Sequence, residues 1–169
     1  MKRCYGIELK TCERHGLEIT ERLTSYQPSV TILDVVNGMV VVEAVDEVEA
    51  VKKWAASSII EVHPLVQISS WDPRFEDIQD YGFFSSKHEA IYLFLELVTG
   101  LTIEGGEDVQ QEMFQLQLEE NLIAIDQSPE NAKGIFFVER DKAELVAGYA
   151  RAYKMDIQFD KNLSLHLDK

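Results

Sequence analysis

An α+β fold is the class that the sequence predicts. Three stretches predict it: two β-branched runs around an Asn-Gly pair, an amphipathic segment, and a further β-branched run. Asn37-Gly38 separates the first two runs, 30–36 and 39–45. Both central positions of a type I′ turn need positive φ, which Asn tolerates and Gly prefers. The two runs are therefore predicted to pair as an antiparallel hairpin through a two-residue turn.

A helix is predicted directly after this hairpin. Asp46 and Glu49 have the spacing of a capping box, in which each side chain satisfies a free backbone N–H at the helix start. Val48, Val51 and Ala55 then fall on one helical face. This face is expected to pack on the sheet.

The remaining elements of the first half complete a known order. A strand is predicted over 4–10, a helix over 11–24, and a last strand over 59–62, with 65–68 as its candidate continuation past Pro64. His63-Pro64 indicates an edge or a bulge there. The sequence of elements is strand, helix, strand, strand, helix, strand, which is the ferredoxin-like βαββαβ arrangement. Residues 1–68 are therefore predicted to form a ferredoxin-like half.

The rest of the chain is predicted to be a connecting loop, 69–85, and a second α+β half, 86–169, packed on the first as one compact unit. The order strand, strand, helix, strand recurs near the end, over 122–126, 134–139, the segment after Asp141, and 155–159. An internal duplication is one interpretation. The alternative is chance, because many α+β domains contain this order.

Two further helices are predicted in the second half. The first, over 87–99, follows a capping-box pair, Ser86 and Glu89, and is apolar on nearly every side. Such a helix belongs in the core or in a subunit contact, and Gly100 is its expected end. The second helix, 107–120, follows Gly105-Gly106. Its predicted apolar positions are Val109, Met113, Phe114 and Leu116.

The charge distribution favours some partners and excludes others. The net charge is −14, which repels phosphate groups and argues against nucleic-acid binding. No Lys or Arg lies between Lys87 and Lys133, a block that holds ten acidic residues: Glu89, Glu96, Glu104, Glu107, Asp108, Glu112, Glu119, Glu120, Asp126 and Glu130. Helical spacing places Asp108, Glu112 and Glu119 on one side of the second helix. Solubility is one interpretation of these three carboxylates, and a patch that faces a basic partner is the other.

A ligand pocket between two ferredoxin-like halves is a different prediction. Acidic and aromatic side chains would favour a cationic or aromatic small molecule, and the candidates are Glu61, His63, Trp71, Tyr81 and Glu96. This hypothesis rests partly on the behaviour of related folds.

An enzyme with scattered catalytic residues is the third possibility. Its candidates would be His63, Asp72, Asp77 and Cys12, and no catalytic role is assigned to any of them. Cys4, Cys12 and His15 are metal-ligand types, but no second ligand pair follows, so neither a metal nor a cofactor is predicted. No phosphate-binding loop, nucleophile elbow or zinc-protease motif occurs.

The favoured hypothesis is a non-catalytic interaction or regulatory module. Its partner would be a basic protein or another copy of this chain. The sequence has no apolar run of roughly 20 residues and no signal-peptide pattern, which predicts a cytoplasmic protein without membrane contact.

Overall fold

A computed structural model describes residues 1–10, 25, 30–36, 38–55, 59–69, 78–127 and 134–163. Helices and antiparallel sheets both occur, so the α+β class is confirmed. The chain divides into two compact units, Lys2–Gln67 and Ile68–Lys169 together with Met1. The helix predicted over 11–24 lies outside the described residues.

The N-terminal unit contains four strands and one described helix: β1 (Lys2–Leu9), β2 (Ile32–Val36), β3 (Met39–Val42), α1 (Val45–Ala55) and β4 (Ile59–Ile68). Its strands lie in the spatial order β2-β3-β1-β4, and the neighbours within it are antiparallel. Tyr5, Ile7, Val40 and Val42 pack with the buried face of α1. Side chains alternate along a strand, and Cys4, Val41 and Leu65 on the other face are buried as well.

The hairpin between β2 and β3 is confirmed. Val36 pairs with Met39, which leaves room for a two-residue connection. Gly38 has a φ of 81°, the left-handed conformation that glycine adopts without strain. Asn37 lies outside the described residues.

Strand β4 runs without interruption through Pro64, which lies opposite Tyr5 of β1. The bulge predicted at His63-Pro64 is wrong, because the register shift between the two strands lies at Glu8 and Leu9. The strand accommodates the proline because an antiparallel neighbour needs a residue's N–H only at alternate positions.

The start of α1 differs from the predicted capping box. The helix begins at Val45, so Asp46 lies inside it, and Glu49 pairs with Lys52 at 2.8 Å. The Glu47 carboxylate instead accepts the backbone N–H groups of Thr31, Glu43 and Ala44, at 2.8–2.9 Å. Partial burial tends to raise the pKa of Glu47, but these three donors outweigh it and lower the pKa below its ordinary value of 4.5.

We predict that Glu47→Ala lowers the free energy of unfolding by about 1 kcal/mol at neutral pH, the usual cost of losing a helix cap. The native pKa is depressed, so this stabilisation exists above pH 4.5 and is lost as the pH falls through the native pKa. Urea unfolding at neutral and acidic pH measures it. Glu49→Ala is the control, and an equal loss in both variants, or a loss that persists in acid, would contradict the assignment.

The C-terminal unit contains the remaining elements: β5 (Gly82–Ser85), β6 (Ala90–Phe94), β7 (Val98–Ile103), α2 (Asp108–Glu119), β8 (Leu122–Asp126), β9 (Ile135–Glu139), α3 (Ala143–Ala152) and β10 (Ile157–Phe159). Strands β5 and β6 form an antiparallel hairpin. The other strands lie in the order β8-β9-β7-β10, again with antiparallel neighbours. From β7 onward the chain order is strand, helix, strand, strand, helix, strand.

The helix predicted over 87–99 is wrong. The segment forms β6, a turn at 95–97 and the start of β7, and the predicted end at Gly100 lies inside β7. The capping-box residues lie in the turn between β5 and β6, where Glu89 has a φ of 48°. A short apolar run is compatible with a buried strand as well as with a buried helix, and periodicity cannot separate them.

Most of this segment is buried, as predicted, although it is not helical. Ile91 and Val98 are fully buried, whereas Phe94 is only half-buried. Tyr92 is among the largest fully buried side chains, and its ring stacks on that of Phe83 with centroids 5.1 Å apart. The segment therefore contributes to the core as a hairpin strand.

Candidate interaction surface

Helix α2 has its orientation fixed by two side chains on its inner face. Phe114 and Leu118 are buried in a cluster with residues of β7, β9 and α3: Leu101, Val138, Val146 and Ala150. The helix starts after Gly106, whose φ of 108° suits glycine. The backbone N–H of Glu107 then donates to Gln110 Oε1 at 3.2 Å, which satisfies a free donor at the helix start.

The outer face of α2 carries a second row of apolar side chains. Val109, Met113 and Leu116, here called the apolar stripe, are 71%, 47% and 57% exposed. At about 100° per residue, Leu116 lies roughly 160° around the helix from Phe114. Of the four predicted apolar positions only Phe114 is buried, and the other three are exposed.

This stripe is unusual within the described part of the chain. Eight large apolar side chains there are exposed, and three of them lie on α2. The other five are separated from one another in the sequence: Val45, Ile60, Phe84, Leu97 and Leu145. Single exposed apolar residues are normal on protein surfaces, whereas a contiguous group indicates an interaction site.

Three carboxylates lie beside the stripe. Asp108, Glu112 and Glu119, here called the acidic edge, are all exposed. At about 100° per residue they fall within roughly 40° of one another, and Glu112 precedes Leu116 by one turn. The three residues of the predicted acidic patch therefore share one side of the helix, and the structure adds the apolar stripe to them.

Helix stability does not account for the charges on α2. The macrodipole favours acidic residues in the first turn and basic residues in the last. Helix α1 follows that rule, with Asp46 and Glu47 in its first turn and Lys52 and Lys53 in its last. The last turn of α2 has no basic residue and instead contains Glu119. Asp108 obeys this rule but Glu119 opposes it, so helix stability does not account for the acidic edge as a whole.

Among the predicted pocket residues, Glu61 and His63 lie close together on β4. His63 Nε2 is 3.9 Å from Glu61 Oε2 and 4.0 Å from Glu8 Oε2 on β1. Glu8 was not identified from the sequence, because only the β1–β4 register brings it beside His63.

Two other predicted pocket residues, Tyr81 and Glu96, are described. Tyr81 donates its hydroxyl to Glu139 Oε1 at 2.6 Å, and Glu96 is exposed in the turn between β6 and β7. The hydrogen bond to Glu139, aided by desolvation, raises the pKa of Tyr81 to about 12. Trp71 is outside the described residues, so the pocket stays a prediction.

We predict that Tyr81→Phe removes a pH dependence of stability between pH 10.0 and about 12. Native Tyr81 keeps its proton to a higher pH than an unfolded tyrosine, so its contribution is complete below pH 10.0 and is lost as the pH rises towards 12. Phenolate absorbance should show a late-titrating component that is smaller in this variant than in a Tyr153→Phe control. A late component of equal size in the two variants would contradict the Tyr81–Glu139 bond.

Most candidates for catalysis lie outside the described residues, namely Cys12, Asp72 and Asp77. Cys4 is described, and burial raises the pKa of its thiol from 9.0 to about 12, which is unsuitable for a nucleophile near neutral pH. Within the described ranges, no three His, Cys, Asp or Glu side chains are grouped as metal ligands would be. The enzyme hypothesis stays a prediction.

The chain matches no family model, and comparison with curated proteins and with solved structures gives no match. No described helix is both long enough and apolar enough to span a bilayer.

Proposed function

We propose that this chain is a non-catalytic interaction module that binds a basic protein partner through the outer face of α2. One observation carries the proposal: an exposed apolar stripe lies directly beside an acidic edge on a helix whose other face is fixed in the core. Burying the stripe would supply affinity, since apolar area removed from water stabilises a complex. The carboxylates would supply selectivity and fast encounter.

The charge surrounding α2 supports a basic partner over a neutral one. No Lys or Arg occurs from residue 88 to residue 132, so the segments flanking the helix in sequence do not neutralise its carboxylates. A partner with Lys or Arg beside its own apolar residues would neutralise them. The same field opposes self-association through this face, because two copies would bring two acidic edges together.

We also infer that both units have the ferredoxin-like βαββαβ architecture and arose by internal duplication. The strand order β8-β9-β7-β10 corresponds position for position to β2-β3-β1-β4. Each order places the first strand of its unit beside the third and the last. On this inference α2 corresponds to the first helix of the repeat, the one predicted over 11–24.

A basic peptide without apolar residues tests the electrostatic part of the proposal. The probe is a fluorescein-labelled peptide composed of Lys, Gly and Ser residues, and binding is measured by fluorescence anisotropy. We expect the triple variant Asp108→Asn, Glu112→Gln and Glu119→Gln to bind it several-fold more weakly than the natural protein. Binding should also weaken with salt, because the screening length falls from about 10 Å at 0.1 M to about 3 Å at 1 M.

A second triple variant with the same change of charge is the control: Asp46→Asn, Glu104→Gln and Glu144→Gln, all at exposed positions. It should retain natural affinity. Equal weakening in both triples would mean that only the net charge matters. That result, or no binding at low salt, would contradict the proposal.

A further inference from the structure

We infer that the partner presents an amphipathic basic helix, whose apolar ridge packs on Val109, Met113 and Leu116 while its basic side chains reach the acidic edge. This inference rests on the proposed function and specifies its partner. The three apolar residues have the spacing i, i+4 and i+7, which lines one side of a helix over two turns. A ridge of that spacing is the form that an apolar helix contact takes.

The exposed face of α2 is a straight, narrow surface. The helix has 12 residues, and at about 1.5 Å per residue it is about 18 Å long. Helices pack by placing side-chain ridges of one into grooves of the other, at interaxial distances of about 8–10 Å. Val109 and Leu116 are almost two turns apart, so a partner helix with matching ridges would contact both.

The acidic edge extends along most of the same length. Asp108 is the first residue of α2 and Glu119 is the last, with Glu112 between them. A partner helix lying on the stripe therefore has carboxylates beside it near both ends. Lys or Arg residues flanking its apolar ridge would meet them, whereas acidic residues there would be repelled. Charge complementarity thus selects a basic amphipathic helix.

The test compares two synthetic peptides of identical Leu and Lys composition. One places its leucines at helical spacing on a single face, and the other has the same residues in an order that destroys this face. Isothermal titration calorimetry with the full chain gives both dissociation constants. We expect the amphipathic peptide to bind at least about tenfold more tightly, as burial of one or two apolar side chains predicts.

The double variant Met113→Gln and Leu116→Gln should abolish the preference between the two peptides. Its matched control is Val45→Gln with Ile60→Gln, since those side chains are 53% and 52% exposed and lie in the other unit. The control should keep the preference. All four substitutions are at exposed positions, and unchanged thermal midpoints would verify that the variants are folded.

Each remaining outcome contradicts the inference in a distinguishable way. If the two peptides bind equally and the triple variant of the acidic edge binds both more weakly, the amphipathic helix is ruled out. The proposed function is then still supported. No binding of either peptide at low salt overturns both. A preference that survives Met113→Gln and Leu116→Gln places the contact elsewhere. If sedimentation shows a dimer that these substitutions dissociate, a second copy covers the stripe and the inference fails.

Discussion

Phe114→Ala is expected to lower the free energy of unfolding by about 3–5 kcal/mol, the range for removing a buried phenylalanine side chain. Phe114 is fully buried in the cluster that joins α2 to β7, β9 and α3. Truncation leaves a cavity there, and the loss is a large share of the roughly 5–15 kcal/mol typical of a folded protein. Urea unfolding of the natural and variant proteins measures it.

The adjacent residue provides the control for this prediction. Met113 is 47% exposed on the outer face, and Met113→Ala is expected to change the free energy of unfolding by about 0.5 kcal/mol or less. The two variants together therefore test which face of α2 is packed into the core. Equal losses in the two variants, or a larger loss for Met113, would mean that the assigned inner and outer faces are incorrect.

Arg140→Met is expected to lower the free energy of unfolding by about 3 kcal/mol. The Arg140 guanidinium donates to the carbonyl oxygens of Leu95 and Val98, at 2.9 and 2.8 Å, and to that of Leu163 at 3.2 Å. Hydrogen bonds from a charged group each contribute about 1.5–3 kcal/mol, but contributions within one network do not add fully. Desolvation by burial lowers the pKa of Arg140, which offsets part of the gain.

The control for this variant is Arg151→Met on α3, because Arg151 is exposed. Methionine keeps most of the aliphatic length of arginine, so the comparison isolates the guanidinium. The backbone N–H of Arg140, which donates to the Leu97 carbonyl at 2.8 Å, is retained in the variant. Equal stability of the Arg140→Met and Arg151→Met proteins would show that the guanidinium does not stabilise the turn at 95–97.

The elements that could be predicted from the sequence are those with strong local signals. Asn37-Gly38 predicts its hairpin because few residues tolerate positive φ. Helix α1 has one apolar face, and Val48, Val51 and Ala55 are all buried as expected. The sequence predicts the wrong capping residue for this helix. One of the backbone N–H groups that Glu47 accepts belongs to Thr31, which precedes β2 and is distant in sequence.

Where the local signal is ambiguous, the prediction fails. Residues 90–94 are apolar in succession, and they form a strand because they pair with β5 after the turn at Glu89. In α2 two apolar rows have helical spacing, one containing Phe114 and the other Leu116. The pattern cannot tell which row faces the core, because that depends on where β7, β9 and α3 lie.

Side chains that meet across long sequence separations could not be predicted at all. Tyr81 and Glu139 are joined by a hydrogen bond, and Glu8 lies beside His63 only through strand register. The acidic edge was predicted because helical spacing alone groups its members. The apolar stripe beside it was missed because exposed apolar residues on a helix look like core residues in sequence.

Chemical-shift mapping tests the central claim most directly. Two-dimensional amide NMR spectra of the ¹⁵N-labelled chain are recorded while the unlabelled amphipathic Leu/Lys peptide is added at low salt. We predict that the largest shifts fall on the amides of α2, residues 108–119, centred on Met113 and Leu116, and that they vanish in the Met113→Gln, Leu116→Gln variant. Shifts concentrated outside α2, or unchanged in that variant, would contradict the assignment of this face as the binding surface.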